Sequence, residues 1–410
     1  MVTRFIFLGL FCSLSSLLGI TNLADISQGD TKPLITIALM VKDEEPVIEA
    51  TLETYIGRPE VAFFIFDTGS TDRTLEVSEA FFKKHGIKNY AFGQEPFINF
   101  AASRNRGLRL AEKAFPSASF IVMPDAEWYF TGIDSLVDFC KQEKDAQHAV
   151  YLMDIVAGGI DFTTPRLIRA HKNICFEGVV HEAIATTGVR SPKGIIFNVG
   201  ASKYGVEKSR QRWIRDAQAL LKYHQENPQD SRTLFYLAQT YQCLDDLENA
   251  YTYYSLRVKL HGWDEEDFMA WYRLAQVTEE LSERKKDQDL WALSQNYYLK
   301  AHSFRPRRAE PLVRLAEHYR KKDDFALSYL FSRVASEIPC PHEETLFLEK
   351  DLYMFSVHDI LGIVCWYLQK YELGETSVRN ALKDRPDMPH LLKNLSLYLE
   401  RRCALRGVSV

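Results

Sequence analysis

Three apolar runs in the N-terminal half of the chain each end in acidic residues. The runs lead to Lys42-Asp43-Glu44, to Asp67-Thr-Gly-Ser-Thr-Asp72 and to Asp125-Ala-Glu127. Continuous apolar runs flanked by helical patterns are typical of strands buried on both faces of a parallel sheet. Because ligands of such sheets bind at the carboxyl ends of the strands, we expect these acids to converge on one crevice. Their number and spacing suit a metal-bound nucleotide.

The order of these motifs resembles that of family 2 glycosyltransferases of the GT-A fold, which move a sugar from a nucleotide-diphosphate donor to an acceptor. The resemblance extends to about residue 208, and its most specific element is Asp67-Thr-Gly-Ser-Thr-Asp72 after an apolar strand. Asp125-Ala-Glu127 alone would be a weak signal. The resemblance implies an α/β fold with a Rossmann-like, mostly parallel sheet.

The resemblance also implies a donor-binding pocket and a metal site. In the family, the position of Asp67 binds the nucleotide, and Gly69 with Ser70 allows the tight turn beside it. Asp125-Ala-Glu127 resembles the Asp-x-Asp element, whose two carboxylates face a cation that bridges the diphosphate oxygens. Oxygen ligands suit Mg²⁺ or Mn²⁺. Since Glu127 replaces the second Asp, the metal preference stays open. The same pocket would be lined by Lys42, Asp43 and Glu44.

A helix start between these motifs reads Asn-Phe-Ala-Ala-Ser-Arg-Asn-Arg-Gly over residues 99–107. It is similar to the helix of the family that precedes the metal strand. Arg104 or Asn105 is therefore predicted to meet the diphosphate or the sugar hydroxyls of the donor, because guanidinium groups suit phosphate.

The segment from Phe176 to Glu182 is similar to an aromatic-x-Gly-x-x-His-Glu element that some family members carry beside the reaction centre. It implies that His181 completes the metal shell and that Glu182 takes the acceptor proton as general base. Asp154 and Asp161 are the alternative bases. Attack from the far face of the donor sugar would invert the anomeric carbon.

Each of these motifs also has a purely structural interpretation. The Asp67–Asp72 segment would serve as a turn and helix cap, since Asp, Ser and Thr favour both. Lys42-Asp43-Glu44 would be a solvated helix start, and Asp125-Ala-Glu127 a surface pair of acids. Arg104 would pair with Asp67 or Asp125, and His181 would be structural.

Composition narrows the class of protein. The chain has 410 residues, a formal net charge of −5 and 46% hydrophobic residues, which indicates a globular protein of about two or three domains. Its basic residues are scattered, so nucleic acid is not an expected partner. The seven cysteines fall singly, without a Cys-x-x-Cys pair, and predict neither a zinc site nor a disulfide framework.

Residues 1–30 are predicted to be a hydrophobic leader and linker. Arg4 precedes an apolar run from Phe5 to Ile20, which is short for a membrane span and closer to the core of a secretory signal. A cleaved signal, an uncleaved anchor and a plain apolar leader remain alternatives. Cytoplasmic, membrane-tethered and secretory locations therefore stay open.

The glycosyltransferase-like domain is placed at residues 31–208 and a helical repeat domain at 209–410. Ala238 and Ala250 stand twelve residues apart, as do Gly362 and Gly374, which resembles the spacing of small residues in a tetratricopeptide repeat (TPR). Small residues there let paired helices approach closely. We expect three or four repeats of uneven length that stack as a solenoid.

The function predicted is an inverting, metal-dependent glycosyltransferase with a hydroxyl acceptor, whose repeats bind the acceptor or a protein partner. The alternative is a non-enzymatic TPR adaptor with a degenerate nucleotide-sugar-binding domain. The donor sugar and base, the oligomeric state and the choice among a protein, lipid or glycan acceptor are not determined by the sequence.

Overall fold

A computed structural model describes residues 31–178, 180–184, 188–200 and 202–405. The predicted leader at residues 1–30 lies outside the described residues. The chain divides into two compact units. The first contains the described residues up to Ala157 together with Thr163–Ser209, and the second contains Gly158–Phe162 and the chain from Arg210 onward.

The described residues form eleven strands. Their bounds are β1 Ile35–Val41, β2 Val61–Asp67, β3 Tyr90–Gln94, β4 Phe120–Val122, β5 Trp128–Thr131, β6 Val150–Ala157, β7 Ile160–Arg169, β8 Phe176–Glu177, β9 Ala183–Ile184, β10 Val189–Arg190 and β11 Ile196–Val199.

The main sheet has the strand order β3-β2-β1-β4-β7-β6-β11-β5, with β10 paired to β6. Strands β1, β2, β3 and β4 run parallel, whereas β7 is antiparallel to β4 and β5 is antiparallel to β11. Strands β8 and β9 form a separate antiparallel pair. Because β2, β1 and β4 are neighbours in one parallel array, the loops that follow them leave the same edge of the sheet.

Five helices begin in the first unit: α1 Ile48–Glu53, α2 Thr74–Lys84, α3 Phe100–Ala114, α4 Ile133–Gln142 and α5 Lys203–Glu226. All seven residues of β2 are buried, as are six of the seven in β1, which accounts for their continuous apolar sequences. The side chain of Asn99 caps α3 by accepting a hydrogen bond from the backbone N–H of Ala102 at 2.8 Å. This unit has the predicted α/β architecture.

From Arg210 onward, the described part of the second unit is mainly helical. Its helices are α6 Ser231–Cys243, α7 Leu247–Arg257, α8 Asp264–Lys285, α9 Gln288–Phe304, α10 Glu310–Lys321, α11 Phe325–Ala335, α12 Val357–Tyr367, α13 Tyr371–Asp384 and α14 Pro389–Leu405, and a π-helical turn at Leu352–Ser356 leads into α12. Short loops join α6 to α7, α8 to α9, α10 to α11 and α12 to α13, and the helices of each pair pack together. The predicted TPR-like arrangement of helix pairs is confirmed.

The small residues used to predict the repeats lie where helices meet. Ala238 and Ala250 are fully buried in the α6–α7 pair. A Cβ atom on Gly362 would lie 2.6 Å from a methyl carbon of Val378, and one on Gly374 would lie 2.0 Å from the hydroxyl oxygen of Tyr398. These glycines therefore set the closest approach of α12, α13 and α14.

Two further features concern the cysteines and the hydrophobicity of the helices. The six described cysteines are all free, and they are Cys140, Cys175, Cys243, Cys340, Cys365 and Cys403. Within the described part of the chain, no helix is both long enough and apolar enough to cross a bilayer.

Gly374→Ala is expected to destabilise the helical unit by about 1–3 kcal/mol, because the new methyl group overlaps a fixed side chain. Tyr398 is 2% exposed, and its hydroxyl donates a 2.7 Å hydrogen bond to the carbonyl of Gly362, so it has little room to move. Urea unfolding followed by circular dichroism measures the change.

Thr376→Ala is the matched control, since Thr376 is exposed on the same helix and its hydroxyl bonds only to the carbonyl of Glu372. Its effect should stay within about 0.5 kcal/mol. Equal midpoints for the two variants would contradict the close approach described above.

Candidate active site

The loops after β1 and β2 are bonded to each other. The backbone N–H of Asp43 donates to the hydroxyl oxygen of Ser70 at 2.9 Å, and the N–H of Thr71 donates to the Asp43 carboxylate at 2.6 Å. The N–H of Glu44 donates to the hydroxyl oxygen of Thr74 at 2.7 Å. The predicted pocket residues of both loops therefore form one connected structure.

Asp67 is fully buried at the end of β2. Its Oδ1 accepts hydrogen bonds from the backbone N–H and the hydroxyl of Ser70 at 2.9 and 2.5 Å, and its Oδ2 accepts one from the Gln94 amide at 2.9 Å. Gly69 has φ of 107°, a value that side chains strongly disfavour, which explains the glycine in this turn. Asp67 thus organises the loop from within, and a direct contact with a nucleotide base remains a prediction.

Asp72 has the contacts expected of the turn-and-cap interpretation. Its Oδ1 accepts from the backbone N–H of Thr74, the first residue of α2, at 3.0 Å, and its Oδ2 accepts from the N–H of Glu45 at 3.0 Å. Burial acts to raise the pKa of Asp72, but the hydrogen bonds from Thr74 and from the Glu45 backbone outweigh it and lower that pKa.

The first turns of α5 cover the loop after β1. The Lys208 ammonium forms an ion pair with Glu44 at 2.6 Å and donates to the carbonyl oxygens of Lys42 and Asp43 at 2.5 and 3.0 Å. The Tyr204 hydroxyl also donates to the carbonyl of Asp43. Lys208 therefore supplies positive charge at this edge of the sheet.

Both the N–H and the carbonyl of Glu127 form hydrogen bonds to other parts of the chain. Its N–H donates to the hydroxyl oxygen of Thr51 at 3.1 Å, and its carbonyl accepts from the N–H of Gly200 at 2.8 Å. Its carboxylate lies against the start of α5, where a Cβ on Gly205 would be 2.0 Å from Oε2. The side chain therefore faces α5, and the absence of a side chain on Gly205 leaves room for it.

The carboxylates of Asp125 and Glu127 lie within electrostatic range of Glu44. Burial raises the pKa of Glu44, the carboxylates of Glu127 and Asp125 add to the rise, and Lys208 opposes it. Acids from the loops after β1 and β4 thus lie near one another, and the ammonium group of Lys208 offsets part of their repulsion of Glu44.

A four-charge cluster lies beside these acids and consists of Arg104, Asp125, Arg166 and Glu182. The Arg104 guanidinium bonds Asp125 at 2.7 Å and Glu182 at 2.6 Å. The Arg166 guanidinium lies 3.4 Å from each of the same two carboxylates. Two positive and two negative groups balance, which is the condition under which buried charges are tolerated.

Burial of Glu182 determines what its carboxylate can do. The side chain is 6% exposed. Burial acts to raise the pKa of Glu182, but Arg104 and then Arg166 outweigh it and lower that pKa. Glu182 is therefore ionised at neutral pH and held by two arginines. Its role as general base stays a prediction.

Asn105 binds the backbone of Phe176 through both ends of its amide. The amide donates to the Phe176 carbonyl at 2.8 Å, and its oxygen accepts from the Phe176 N–H at 2.7 Å. These bonds attach β8 to α3 near the charge cluster. The predicted contact of Asn105 with the donor therefore competes with a structural role.

The predicted metal ligands do not lie close enough together to hold one ion. Among the described residues, the three predicted ligands Asp125, Glu127 and His181 do not have ligand atoms that all lie within 4.8 Å of one another. His181 is exposed, with φ of 54°. Asp125 points to two arginines and Glu127 to α5, so one ion held by three of these groups would require side-chain movement.

The alternative bases are engaged elsewhere. Asp154 accepts hydrogen bonds from Arg190 at 2.8 and 3.0 Å. Asp161 belongs to the second unit and forms an ion pair with Lys350.

Four residues contact the predicted site but are absent from the predicted set of site residues: Gln94, Arg166, Tyr204 and Lys208. Arg166 precedes the Phe176–Glu182 segment and Lys208 ends the first predicted domain, whereas Gln94 and Tyr204 carry no motif.

Residues 36–167 match the family model described as Glycosyl transferase family 2. The match begins in β1 and ends in β7, and it includes the loops that carry Asp43, Asp67 and Asp125. The chain therefore contains a family 2 glycosyltransferase domain. No curated protein matches this chain.

Solved structures show limited similarity. The mannosyltransferase PcManGT from Pyrobaculum calidifontis, solved in complex with GDP-Man and Mn²⁺, is 16% identical with a TM-score of 0.38, over 69% of this chain and 89% of its own. YrrB, a TPR protein with an unusual peptide-binding site, is 15% identical with a TM-score of 0.34, over 45% and 84% of the two chains. TTC0263, a TPR protein from Thermus thermophilus, is 15% identical with a TM-score of 0.31, over 48% and 96%.

Arg104→Met is expected to lower the free energy of unfolding of the first unit by about 3–5 kcal/mol, because it leaves Glu182 buried without its shortest ion pair. Arg106→Met is the matched control on the same helix. Arg106 pairs with Glu95 near solvent, with 49% of its side chain exposed, so its loss should cost about 1 kcal/mol or less. Thermal and urea unfolding measure both; a similar loss in the two variants would show that the cluster contributes no special stability.

Proposed function

We propose that the chain is a glycosyltransferase that moves a sugar from a nucleotide-diphosphate sugar to a hydroxyl acceptor with inversion of the anomeric carbon. The observation that carries this proposal is the family match over residues 36–167. It is supported by the meeting of the β1, β2 and β4 loops at one edge of the sheet. Lys42, Asp43, Glu44, Asp67, Gly69 and Ser70 are proposed to surround the nucleotide, and Arg104, Asn105 and Asp125 to face the diphosphate and sugar.

The acids at this edge suit a divalent cation. Asp125 and Glu127 both repel the carboxylate of Glu44, and oxygen ligands are those that Mg²⁺ and Mn²⁺ prefer. We propose that Asp125 and Glu127 hold the ion and that His181 approaches from the segment before β9. A bound cation would neutralise charge on the departing nucleotide diphosphate.

Arg104 and Arg166 are proposed to fix the direction of Asp125. Both guanidinium groups contact its carboxylate from the buried side, while 38% of the Asp125 side chain remains exposed. The exposed part is thus available to the donor, and the two ion pairs orient the carboxylate.

Glu182 is proposed to accept the proton of the acceptor hydroxyl as that oxygen attacks the anomeric carbon. Support comes from its ionised state and its position beside Asp125. Because two arginines lower its pKa, approach of the acceptor would have to weaken one of these ion pairs for Glu182 to become a stronger base.

The helical unit is proposed to hold a protein acceptor or another protein partner. Stacked helix pairs of this kind present an extended surface suited to a peptide segment. The alternative proposal, a non-enzymatic adaptor, becomes the outcome if no nucleotide sugar binds.

Removal of the proposed metal ligands is expected to reduce donor hydrolysis by at least about 100-fold, because a catalytic cation contributes several kcal/mol. The variants are Asp125→Asn and Glu127→Gln, and EDTA should have the same effect on the unaltered protein. Hydrolysis of UDP-glucose, UDP-N-acetylglucosamine and GDP-mannose is measured with Mn²⁺ and with Mg²⁺.

Asp138→Asn is the control, since Asp138 is 64% exposed on α4 and pairs only weakly with Arg58 at 3.9 Å. It should retain full turnover. If no donor raises the melting temperature with either metal, the adaptor is favoured over the enzyme.

Glu182→Gln is expected to lower kcat for transfer by about 10²–10⁴-fold, because it removes a base and keeps the side-chain volume. Asp154→Asn tests the alternative base in the same assay. Unchanged kcat in Glu182→Gln, or a larger loss in Asp154→Asn, would remove Glu182 from the reaction.

A further inference from the structure

A second cluster of metal-ligating side chains lies in the helical unit. It consists of Glu279 and Glu283 on α8 and His318 on α10, and we call it the α8–α10 cluster. One ligand atom from each residue lies within 4.8 Å of the others. Glu279 and Glu283 are four residues apart, so both stand on one face of α8. None of the three belongs to the proposed active site.

Neighbouring side chains fix two of the three ligands. His318 is 8% exposed, and its ring stacks on Trp291 with 3.3 Å between ring centroids and 4° between planes. Its Nδ1 lies 2.8 Å from Oε1 of Glu279. The other carboxylate oxygen of Glu279 accepts a 2.7 Å hydrogen bond from the buried hydroxyl of Tyr298. Such supporting contacts orient ligands in metal sites.

The third ligand, Glu283, is not paired with a basic side chain among the described residues. Glu283 is exposed, and within the described residues it makes no hydrogen bond and no ion pair. By contrast, the nearby Glu280 pairs with Arg284. Two carboxylates at i and i+4 repel each other, so the arrangement favours a bound cation.

We propose that the α8–α10 cluster binds a divalent first-row transition-metal ion, with Zn²⁺ as the test ion. One imidazole nitrogen and two carboxylate oxygens suit such an ion better than Mg²⁺ or Ca²⁺, which prefer oxygen ligands alone. A tetrahedral Zn²⁺ with bonds of about 2.0–2.1 Å places its ligands roughly 3.4 Å apart. The present spacing therefore needs only a small adjustment, and water would occupy the fourth position.

The proposed ion would link α8 to α10, which belong to neighbouring helix pairs. Binding requires His318 to give up its hydrogen bond to Glu279 and to present that nitrogen to the metal. Because the ion binds the folded unit, it would raise the stability of the α8–α10 packing.

The test uses the full chain with Asp125→Asn and Glu127→Gln already introduced, so that the proposed catalytic cation does not contribute. After removal of metals with a chelator, Zn²⁺ binding is measured by isothermal titration calorimetry and by the Zn²⁺-dependent shift in melting temperature. We expect one equivalent of Zn²⁺ and an increase in melting temperature.

Glu283→Gln should weaken Zn²⁺ binding by at least about tenfold, whereas the control Glu280→Gln should bind Zn²⁺ unchanged. His318→Gln should also lose the Zn²⁺-dependent shift, and its metal-free melting temperature separates lost binding from lost stacking on Trp291. No Zn²⁺ binding in the starting protein, or equal affinity in the Glu283 and Glu280 variants, would show a simple His–Glu hydrogen bond and overturn the proposal.

Discussion

The balance of charge among Arg104, Asp125, Arg166 and Glu182 holds the Asp125 carboxylate in place at the edge of the sheet. These residues come from α3, the loop after β4, β7 and the segment before β9, so their ion pairs connect four parts of the chain. Arg104, Arg166 and Glu182 would each be costly to bury alone, and their charges are tolerated because oppositely charged neighbours are present. The position of Asp125 at the sheet edge is therefore a property of the whole cluster.

Hydrogen bonds between backbone groups and side chains also stabilise this edge of the sheet. The β1 and β2 loops exchange bonds through Asp43, Ser70 and Thr71, and Lys208 of α5 binds carbonyl oxygens of the β1 loop. Acidic side chains that are distant in sequence are thereby kept in one region. The proposed chemistry depends on this convergence, since a diphosphate and a cation must both be contacted there.

The sequence predicted the elements better than it predicted the contacts between side chains. Apolar runs placed β1, β2 and β4, and small residues such as Ala250 and Gly374 placed the paired helices, because burial and close packing leave local signals. The pairing of Arg104 with Asp125 was foreseen only as the structural alternative.

Other contacts were beyond the reach of a single sequence. Gln94 contacts Asp67 across 27 residues, and Lys208 contacts Glu44 from a distant part of the chain, through side chains with no recognisable spacing. The second ion pair of Arg104, with Glu182, depends on how β7 and the segment before β9 pack beside α3. Contacts of this kind arise from the tertiary fold, which local patterns do not encode.

The backbone of Glu127 has a further consequence. Its φ of 62° lies in the left-handed region, which Asp and Asn adopt more readily than Glu does. A shorter acid would suit the main chain but withdraw the carboxylate by one methylene from α5. A shorter acid would therefore fit the backbone conformation better, whereas the longer side chain of Glu127 brings its carboxylate to α5. The metal selectivity of a site built here would be set by side-chain length as much as by the chemistry of the ligand.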